Sequence, residues 1–399
     1  MTCNVCGNEI DANDGYVEGK DCYICSHCVK KLGQMWAKSV GIEVWSNEDK
    51  EATSHPLLKP KEIKNFLDDY MIGQERAKER VAVAVYNHFK RLRHHTEKTD
   101  DDDVEIMKSN VLILGPTGSG KSMLARTIAK LLDIPFVICD ATSLTQAGYV
   151  GDDVESLLVK LYQAADCNKE RTEHGIVFID EIDKIARKGG NVSITRDVSG
   201  EGVQQSLLKM IEGTVVGIPP HGGRKHPDQD LVYIDTKDIL FICAGAFEGI
   251  EEHIERRCNH HPIGFNGAQK NADENDILDK VSASDLRAFG LIPELIGRLP
   301  VITHTDELSI NDLERILTEP KNALTRQYSA LMKMDNIDLS FDADAIHEIA
   351  VLAKKNGTGA RGLRTIMEEA MAKMMFEMPS EPPIGNMAIF KKEDIKETA

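Results

Sequence analysis

The sequence predicts an α/β fold in which a parallel sheet is flanked by helices, with a cysteine-rich domain before it and a small helical domain after it. Three observations support this prediction. Short apolar runs alternate with helical patterns in the middle of the chain, helical patterns dominate its last quarter, and five of the nine cysteines fall within the first 28 residues. With 399 residues, the chain is long enough for about two to four domains.

Two Cys-x2-Cys pairs mark residues 1–45 as a zinc-binding domain. The pairs are separated by 18 residues, which is typical of a tetrahedral Zn²⁺ site with four thiolate ligands. The predicted ligands are Cys3, Cys6, Cys25 and Cys28. Cys22 forms an alternative pair with Cys25, and His27 is a further candidate ligand, so the register stays open. Because no acid-base set accompanies the cysteines, we expect a structural site.

Residues 46–60 are polar, contain two prolines and lack an apolar period, so they predict a linker. Residues 1–50 hold eight acidic and five basic side chains. This negative balance favours a domain that docks proteins over one that binds nucleic acid.

Residues 61–304 predict the large α/β domain. Two amphipathic helices are expected from Lys61 onward, and the basic cluster at residues 90–95 is expected in a solvated loop. Four apolar runs then indicate strands buried on both faces, and the helical patterns between them indicate crossover helices and parallel pairing. These runs are Val111–Leu114, Ile134–Cys139, Ile176–Ile179 and Ile239–Cys243.

Residues 305–399 predict a smaller, mostly helical domain. Helical patterns cover residues 309–331, 343–355 and 362–375.

A phosphate-binding loop follows the first of the apolar runs. The residues from Gly115 to Ser122 match G-x-x-x-x-G-K-[ST] between a strand and a helix. In this motif backbone N–H groups surround phosphate oxygens, Lys121 reaches the β- and γ-phosphates, and Ser122 is a Mg²⁺ ligand. The predicted nucleotide-binding residues are Gly115, Pro116, Thr117, Gly118, Ser119, Gly120, Lys121, Ser122 and Met123.

An acidic pair ends the third apolar run. Asp180 and Glu181 follow four apolar residues, which places them at the carboxyl edge of the sheet, where ligands bind in such folds. Asp180 is the expected partner of Ser122 at Mg²⁺, and Glu181 is the expected base that polarises the attacking water. Together with the phosphate-binding loop, the pair predicts a Mg²⁺-dependent ATPase.

The composition argues against some classes of binding partner. Charged residues make up 28% of the chain and apolar residues 41%, and the formal net charge is −17. This balance argues against bulk binding to nucleic acid or to anionic membranes. Because no apolar run approaches a membrane span and the first residues lack a signal-peptide pattern, we expect a cytoplasmic protein.

The order of these motifs resembles the AAA+ unfoldases, and more closely the ClpX family, the ATPase subunits of the Clp protease. The resemblance covers essentially the whole chain. It implies an ATP-dependent unfoldase and chaperone that works as a homohexamer, feeds polypeptides to a ClpP-type peptidase, and recruits substrates and adaptors through the zinc domain.

The resemblance also implies residues that contact the substrate polypeptide. Tyr149 and Val150 resemble the pore loop that grips the chain, residues 193–200 resemble a second pore loop, and a basic loop resembles the pore entrance. That loop contains Arg224, Lys225 and His226. The peptidase-docking loop is expected at Ile263, Gly264 and Phe265.

Three further residues acquire roles from the resemblance. Arg298 resembles an arginine finger that acts on a neighbouring subunit's nucleotide, Arg361 resembles the sensor-2 arginine, and Ile72 lies in the segment that contacts adenine. From the residues alone, either arginine could instead form a structural ion pair. Residues 239–245 end in Cys-Ala-Gly, which offers no polar sensor-1 residue.

Two other functions remain as alternatives. A clamp or helicase loader would require a basic stripe and stacking aromatics, but aromatic residues make up only 5% of the chain. A chaperone that remodels complexes without a peptidase would not need the docking loop.

Overall fold

The computed structural model describes residues 2–3, 5–6, 16–19, 22–25, 28–29, 58–96, 106–145, 152–186, 200–220, 231–258 and 277–396. The chain divides into two compact units, residues 1–57 and 58–399. In the first unit, strands β1 (Tyr16–Gly19) and β2 (Cys22–Cys25) form an antiparallel pair in which Tyr16 lies opposite Cys25. The second cysteine pair therefore begins at the end of a hairpin.

The second unit opens with an α/β arrangement up to residue 304. Its elements are α1 (Pro60–Asp68), α2 (Glu75–Thr96), β3 (Val111–Leu114), α3 (Lys121–Leu132), β4 (Phe136–Asp140), β5 (Leu144–Thr145), β6 (Asp152–Asp153), α4 (Ser156–Ala164), α5 (Lys169–Glu173), β7 (Ile176–Asp180), α6 (Glu201–Glu212), β8 (Val215–Ile218), β9 (Val232–Asp235), β10 (Leu240–Gly245), α7 (Ile250–Cys258), α8 (Ala283–Phe289), α9 (Pro293–Gly297) and β11 (Val301–His304).

Five of these strands form the central sheet, in the order β11-β3-β10-β7-β4, and all neighbours are parallel. Successive residues of β3 pack on opposite faces. Val111 and Ile113 belong to the core beneath α1, α2 and α3, whereas Leu112 and Leu114 belong to the core on the other face. Because both faces are covered, a central strand must be apolar at every position, which is why these runs were readable in the sequence.

The four predicted strands and their parallel pairing are confirmed. The fifth strand, β11, was not predicted. It lies at the edge of the sheet, and two of its four residues are only partly buried, so its sequence lacks a continuous apolar run.

Asn110 forms hydrogen bonds to neighbouring segments at the amino end of β3. Its side chain is buried, donates to the carbonyl oxygen of Arg298 at 2.9 Å and accepts from the backbone N–H of Phe241 at 3.2 Å. It therefore ties the start of β3 to β10 and to the segment that precedes β11.

The rest of the second unit is mostly helical and has its own apolar core. Its elements are α10 (Ile310–Thr318), α11 (Leu324–Met334), β12 (Asp338–Phe341), α12 (Ala343–Lys355), α13 (Gly359–Glu377), β13 (Met387–Phe390) and α14 (Lys392–Lys396). The single helix expected over residues 309–331 is two helices, because Pro320 lacks an N–H and its ring clashes with the helical carbonyl four residues earlier.

The solvated loop expected at residues 90–95 is wrong, since this segment continues α2 to Thr96. Arg91 is buried there and its Nη1 lies 3.0 Å from Asp238 Oδ1. The charges that suggested a loop are thus partly neutralised by an acid far away in the sequence.

Among the described residues, no helix combines the length and the apolar character needed to cross a membrane.

Candidate functional site

The phosphate-binding loop lies at the carboxyl end of β3, as its motif requires. The strand ends at Leu114, the loop covers residues 115–120, and α3 begins with Lys121 and Ser122. The N-terminus of α3 therefore directs its free N–H groups and its partial positive charge toward the loop, which favours a bound anion. Thr117 and Met123 are exposed beside it.

Lys121 is held by the loop itself. Its Nζ donates to the carbonyl oxygens of Gly115 at 2.7 Å and Pro116 at 2.8 Å, and the side chain is buried. Burial lowers the pKa of Lys121, against the opposing pull of Asp180 and Asp183. A phosphate would offer this ammonium a stronger partner than two neutral carbonyls.

The predicted metal-binding pair lies in direct contact. Ser122 Oγ donates to Asp180 Oδ2 at 2.8 Å, which joins the first turn of α3 to the end of β7. A hydroxyl and a carboxylate oxygen in contact are hard ligands of the kind that Mg²⁺ takes beside phosphate. The donor set therefore fits Mg²⁺.

Glu181 is exposed and lies just past the end of β7. Its backbone is left-handed, with φ 55°, and its N–H donates to Asp180 Oδ1 at 3.0 Å. A left-handed non-glycine residue stores backbone strain that tends to mark a functional position. The side chain of Glu181 is thus exposed, and its backbone is bonded to the carboxylate that also contacts Ser122.

Asp183 is a site residue that the sequence reading missed. Its side chain is buried and its Oδ1 accepts from the backbone N–H of Ala246 at 3.2 Å. A Cβ on Gly245 would lie 2.5 Å from the same oxygen. The absence of a polar side chain at the end of β10 thus has a steric cause, because Asp183 occupies that space.

The phosphate-binding loop also packs against the chain that follows the large sheet. A Cβ on Gly115 would overlap Thr305, and a Cβ on Gly118 would lie 2.6 Å from the Thr358 carbonyl oxygen. The N–H of Ala360 donates to the Gly118 carbonyl at 3.2 Å. The loop is therefore in contact with both the residue that follows β11 and the start of α13.

The predicted adenine-contacting segment contacts the same stretch of chain, at the residue after Thr305. Ile72 is buried, and the following Gln74 exchanges two hydrogen bonds with the backbone of Asp306, at 2.7 and 2.8 Å. Met71 approaches the loop, since its Cε lies 3.2 Å from where a Cβ on Gly120 would be. The segment before α2 therefore borders the nucleotide site.

The two predicted arginines lie in different surroundings. Arg361 is exposed in the first turn of α13, and its charge adds to the lowering of the Lys121 pKa, after burial. Arg298 pairs with Glu212 at 3.0 Å, and both side chains are close to half exposed. The structure thus brings Arg361 to the loop but not Arg298.

The four predicted zinc ligands converge. The sulfur atoms of Cys3, Cys6, Cys25 and Cys28 all lie within 4.8 Å of one another. Cys6 and Cys25 are 3.8 Å apart, which equals the spacing of about 3.8 Å expected between two thiolates at a tetrahedral zinc. The Cys22 side chain and His27 lie outside the described residues.

The thiols of Cys3 and Cys28 differ in pKa. The backbone N–H of Cys25 donates to Cys3 Sγ at 3.3 Å and lowers the pKa of Cys3 to about 6. Burial raises the pKa of Cys28 to about 12. One thiolate is thus available at neutral pH to bind a cation, whose charge would favour ionisation of the others.

The predicted substrate-contacting loops lie outside the described residues. These are Tyr149 and Val150, residues 193–199 of the second pore loop, the basic residues Arg224, Lys225 and His226, and the docking loop Ile263, Gly264 and Phe265.

The chain is similar to known proteins over nearly its whole length. The sequence is 52% identical to "ATP-dependent Clp protease ATP-binding subunit ClpX" of Bacteroides fragilis over 381 residues, 95% of this chain and 91% of that protein. The protein of the same name from Treponema denticola is 50% identical over 98% of this chain and 93% of its own length. The chain belongs to the ClpX family.

The two parts of the second unit match separate domain families. Residues 106–302 match the AAA domain (Cdc48 subfamily), and residues 308–387 match the C-terminal D2-small domain of ClpB protein. Together with membership of the ClpX family, the AAA domain makes this chain an ATPase.

Cys28→Ser is expected to remove zinc from this ClpX-family chain. The substitution leaves three of the four converging thiolates, so bound zinc should fall from about one per chain to a small fraction of that. Metal analysis of the purified full-length protein measures this content.

Two other cysteines give matched controls. Cys167→Ser changes an exposed cysteine of the ATPase part and should leave zinc unchanged, as should Cys22→Ser. Zinc lost with Cys22→Ser but retained with Cys28→Ser would show that the ligand register is wrong.

Proposed function

We propose that this chain is an ATP-dependent protein unfoldase and translocase, which works as a homohexamer in the cytoplasm and delivers unfolded polypeptides to a ClpP-type peptidase. The observation that carries the proposal is the contact of the phosphate-binding loop of the α/β domain with two segments of the helical domain. Because Gly115 packs on Thr305 and Gly118 packs on the start of α13, nucleotide at this loop would bias how the domains sit together. Such coupling is what a motor needs.

ATP binding is assigned to the loop and its flanks. Backbone N–H groups of residues 115–120 and the Lys121 ammonium would hold the phosphates, and Ser122 and Asp180 would hold Mg²⁺. The cation would spread the negative charge that accumulates on the transferred phosphoryl group. Ile72 would contact the adenine, and Arg361 would sense the γ-phosphate from the helical domain.

Hydrolysis is assigned to Glu181 with help from a neighbour. The exposed Glu181 carboxylate would orient and polarise the attacking water. Arg298 lies away from its own chain's loop, pairs with Glu212 and is 44% exposed. An exposed arginine held in place by one ion pair suits a role at the next subunit's nucleotide, where it would stabilise the developing charge.

Substrate handling is assigned to the loops identified in the sequence. Tyr149 and Val150 would grip the polypeptide by sequence-tolerant apolar contact, and residues 193–200 would form a second pore loop. Arg224, Lys225 and His226 would receive the substrate at the pore entrance. The docking loop at Ile263, Gly264 and Phe265 would contact the peptidase, and the zinc domain would recruit substrates and adaptors. The same subunit would act as a chaperone when no peptidase is bound.

Glu181→Gln is expected to abolish ATP hydrolysis while nucleotide binding remains. The amide keeps the size of the side chain but cannot act as a base, so kcat should fall by about two to four orders of magnitude. Steady-state ATPase assays and a fluorescent ADP analogue measure the two properties.

The control is Glu170→Gln, which makes the same change at an exposed position of α5. Near-normal turnover in the Glu181 variant would refute the assignment of the base.

Tyr149→Ala is expected to uncouple ATP hydrolysis from unfolding. The variant should keep its ATPase activity, because it retains the nucleotide site, but should lose most of its grip on a folded substrate. The measurement is ATP-dependent loss of fluorescence from a tagged, stably folded reporter, with and without a ClpP-type peptidase.

Tyr233→Ala removes another exposed tyrosine, on β9, and serves as the control. Normal unfolding by Tyr149→Ala would contradict the pore assignment. If the unmodified protein unfolds the reporter but a competent peptidase never degrades it, the chain is a chaperone that works alone.

A further inference from the structure

A threonine just past the central sheet contacts the phosphate-binding loop at two points. Thr305 follows β11 and begins the connector, residues 305–309, which leads to α10. Its side chain is fully buried and its N–H donates to the Leu114 carbonyl at 2.8 Å. Its Oγ1 lies 2.7 Å from Ser119 Oγ and 3.2 Å from the Leu114 carbonyl oxygen. The connector is thus bonded to the last residue of β3, just before the loop, and to Ser119 near the end of the loop.

The available protons order this contact into a relay. Ser119 Oγ donates to the Pro116 carbonyl at 2.8 Å, so its only proton is used. The Thr305 hydroxyl could donate to the Leu114 carbonyl at 3.2 Å or to Ser119 Oγ at 2.7 Å, and the shorter contact places its proton on Ser119 Oγ. The Pro116 carbonyl also accepts from Lys121 at 2.8 Å. The chain of hydrogen bonds therefore runs from the connector through Ser119 and Pro116 to the phosphate-binding lysine.

The next connector residue binds a second segment that borders the nucleotide site. Asp306 exchanges two backbone hydrogen bonds with the Gln74 side chain, which lies two residues after Ile72. Two consecutive residues of the connector are thus bonded to two separate walls of the site. A connector placed in this way can transmit a change in the helical domain to the loop.

We propose that Thr305 is a positioning residue of the ATPase, whose hydroxyl holds Ser119 and through it the nucleotide-binding shape of the phosphate-binding loop. The inference rests on the proposed role of this loop in ATP binding. Because Thr305 is fully buried, it acts through Ser119, which holds the Pro116 carbonyl that also accepts from Lys121.

This role predicts a specific kinetic effect. Without this hydroxyl, the loop would have to adopt its binding shape each time ATP binds. Binding of the ground state and of the transition state would then weaken equally, which raises KM and leaves kcat nearly unchanged. A merely structural contact would instead lower the melting temperature and leave both constants of the folded enzyme as they were.

The test uses Thr305→Val in the full-length protein. Valine keeps the shape and removes the hydroxyl, so the KM for ATP should rise about five- to tenfold, the size expected for one lost buried hydrogen bond, with kcat within about twofold. Binding of a fluorescent ADP analogue should weaken to a similar extent. Thr305→Ser restores the hydroxyl and should return KM to near its original value.

Thr303→Val provides a matched control. Thr303 lies two residues earlier on β11, is also buried, and its Oγ1 has no hydrogen-bond partner within the described part of the chain. The same substitution there should leave KM and kcat unchanged. If Thr303→Val raises KM as much as Thr305→Val, or if Thr305→Val changes only the melting temperature, the proposal is overturned.

A double-mutant cycle shows whether Thr305 acts through Ser119. Ser119→Ala should raise KM by itself, and adding Thr305→Val should raise it little further, because the relay is already broken. Multiplicative effects on KM would contradict the relay.

If Thr305→Val does not fold, Thr305→Cys supplies the measurement, since a thiol is a weaker donor of similar size. Its KM should lie between those of Thr305→Ser and Ser119→Ala, and a normal value would overturn the proposal. All assays omit protein substrates, so failure of the relay is distinguishable from failure of the unfoldase assignment.

Discussion

The close packing of the phosphate-binding loop on its own chain is the constraint on which the site depends. A side chain at Gly115 would overlap Thr305, and one at Gly118 would meet the Thr358 carbonyl oxygen at 2.6 Å. These two glycines are therefore required by contacts within the protein as well as by the approach of phosphate. The loop cannot take a new shape unless the connector or the start of α13 responds.

This constraint gives a physical reason for placing a helical domain after the sheet. The sheet alone positions Ser122 against Asp180 and holds Asp183 beneath the end of β10. The connector and α13 then close the other side of the site. In the proposed motor, binding energy at the phosphates would be available for work between domains, because a new loop shape would require the contacts on both of its sides to change.

The sequence predicted best what a short segment determines by itself. Val111–Leu114 and Ile176–Ile179 were found because strands covered on both faces must be continuously apolar. The convergence of four thiols was also predicted from short segments, because each Cys-x2-Cys pair by itself indicates two ligands of one zinc ion. Long-range partners left no local signal: nothing near Arg298 indicates Glu212, and nothing near Thr305 indicates Ser119, 186 residues earlier. The basic residues at 90–95 misled because the acid that neutralises Arg91 is Asp238.

The most direct test of this coupling is the distance between the two domains with and without nucleotide. Fluorescent labels at Glu170 on α5 and Lys355 on α12, both exposed, would report it by energy transfer in the assembled full-length protein. In the Glu181→Gln variant, which should bind ATP without turnover, coupling predicts different distance distributions for the ATP-bound, ADP-bound and nucleotide-free states. One unchanged distribution in all three states would contradict it.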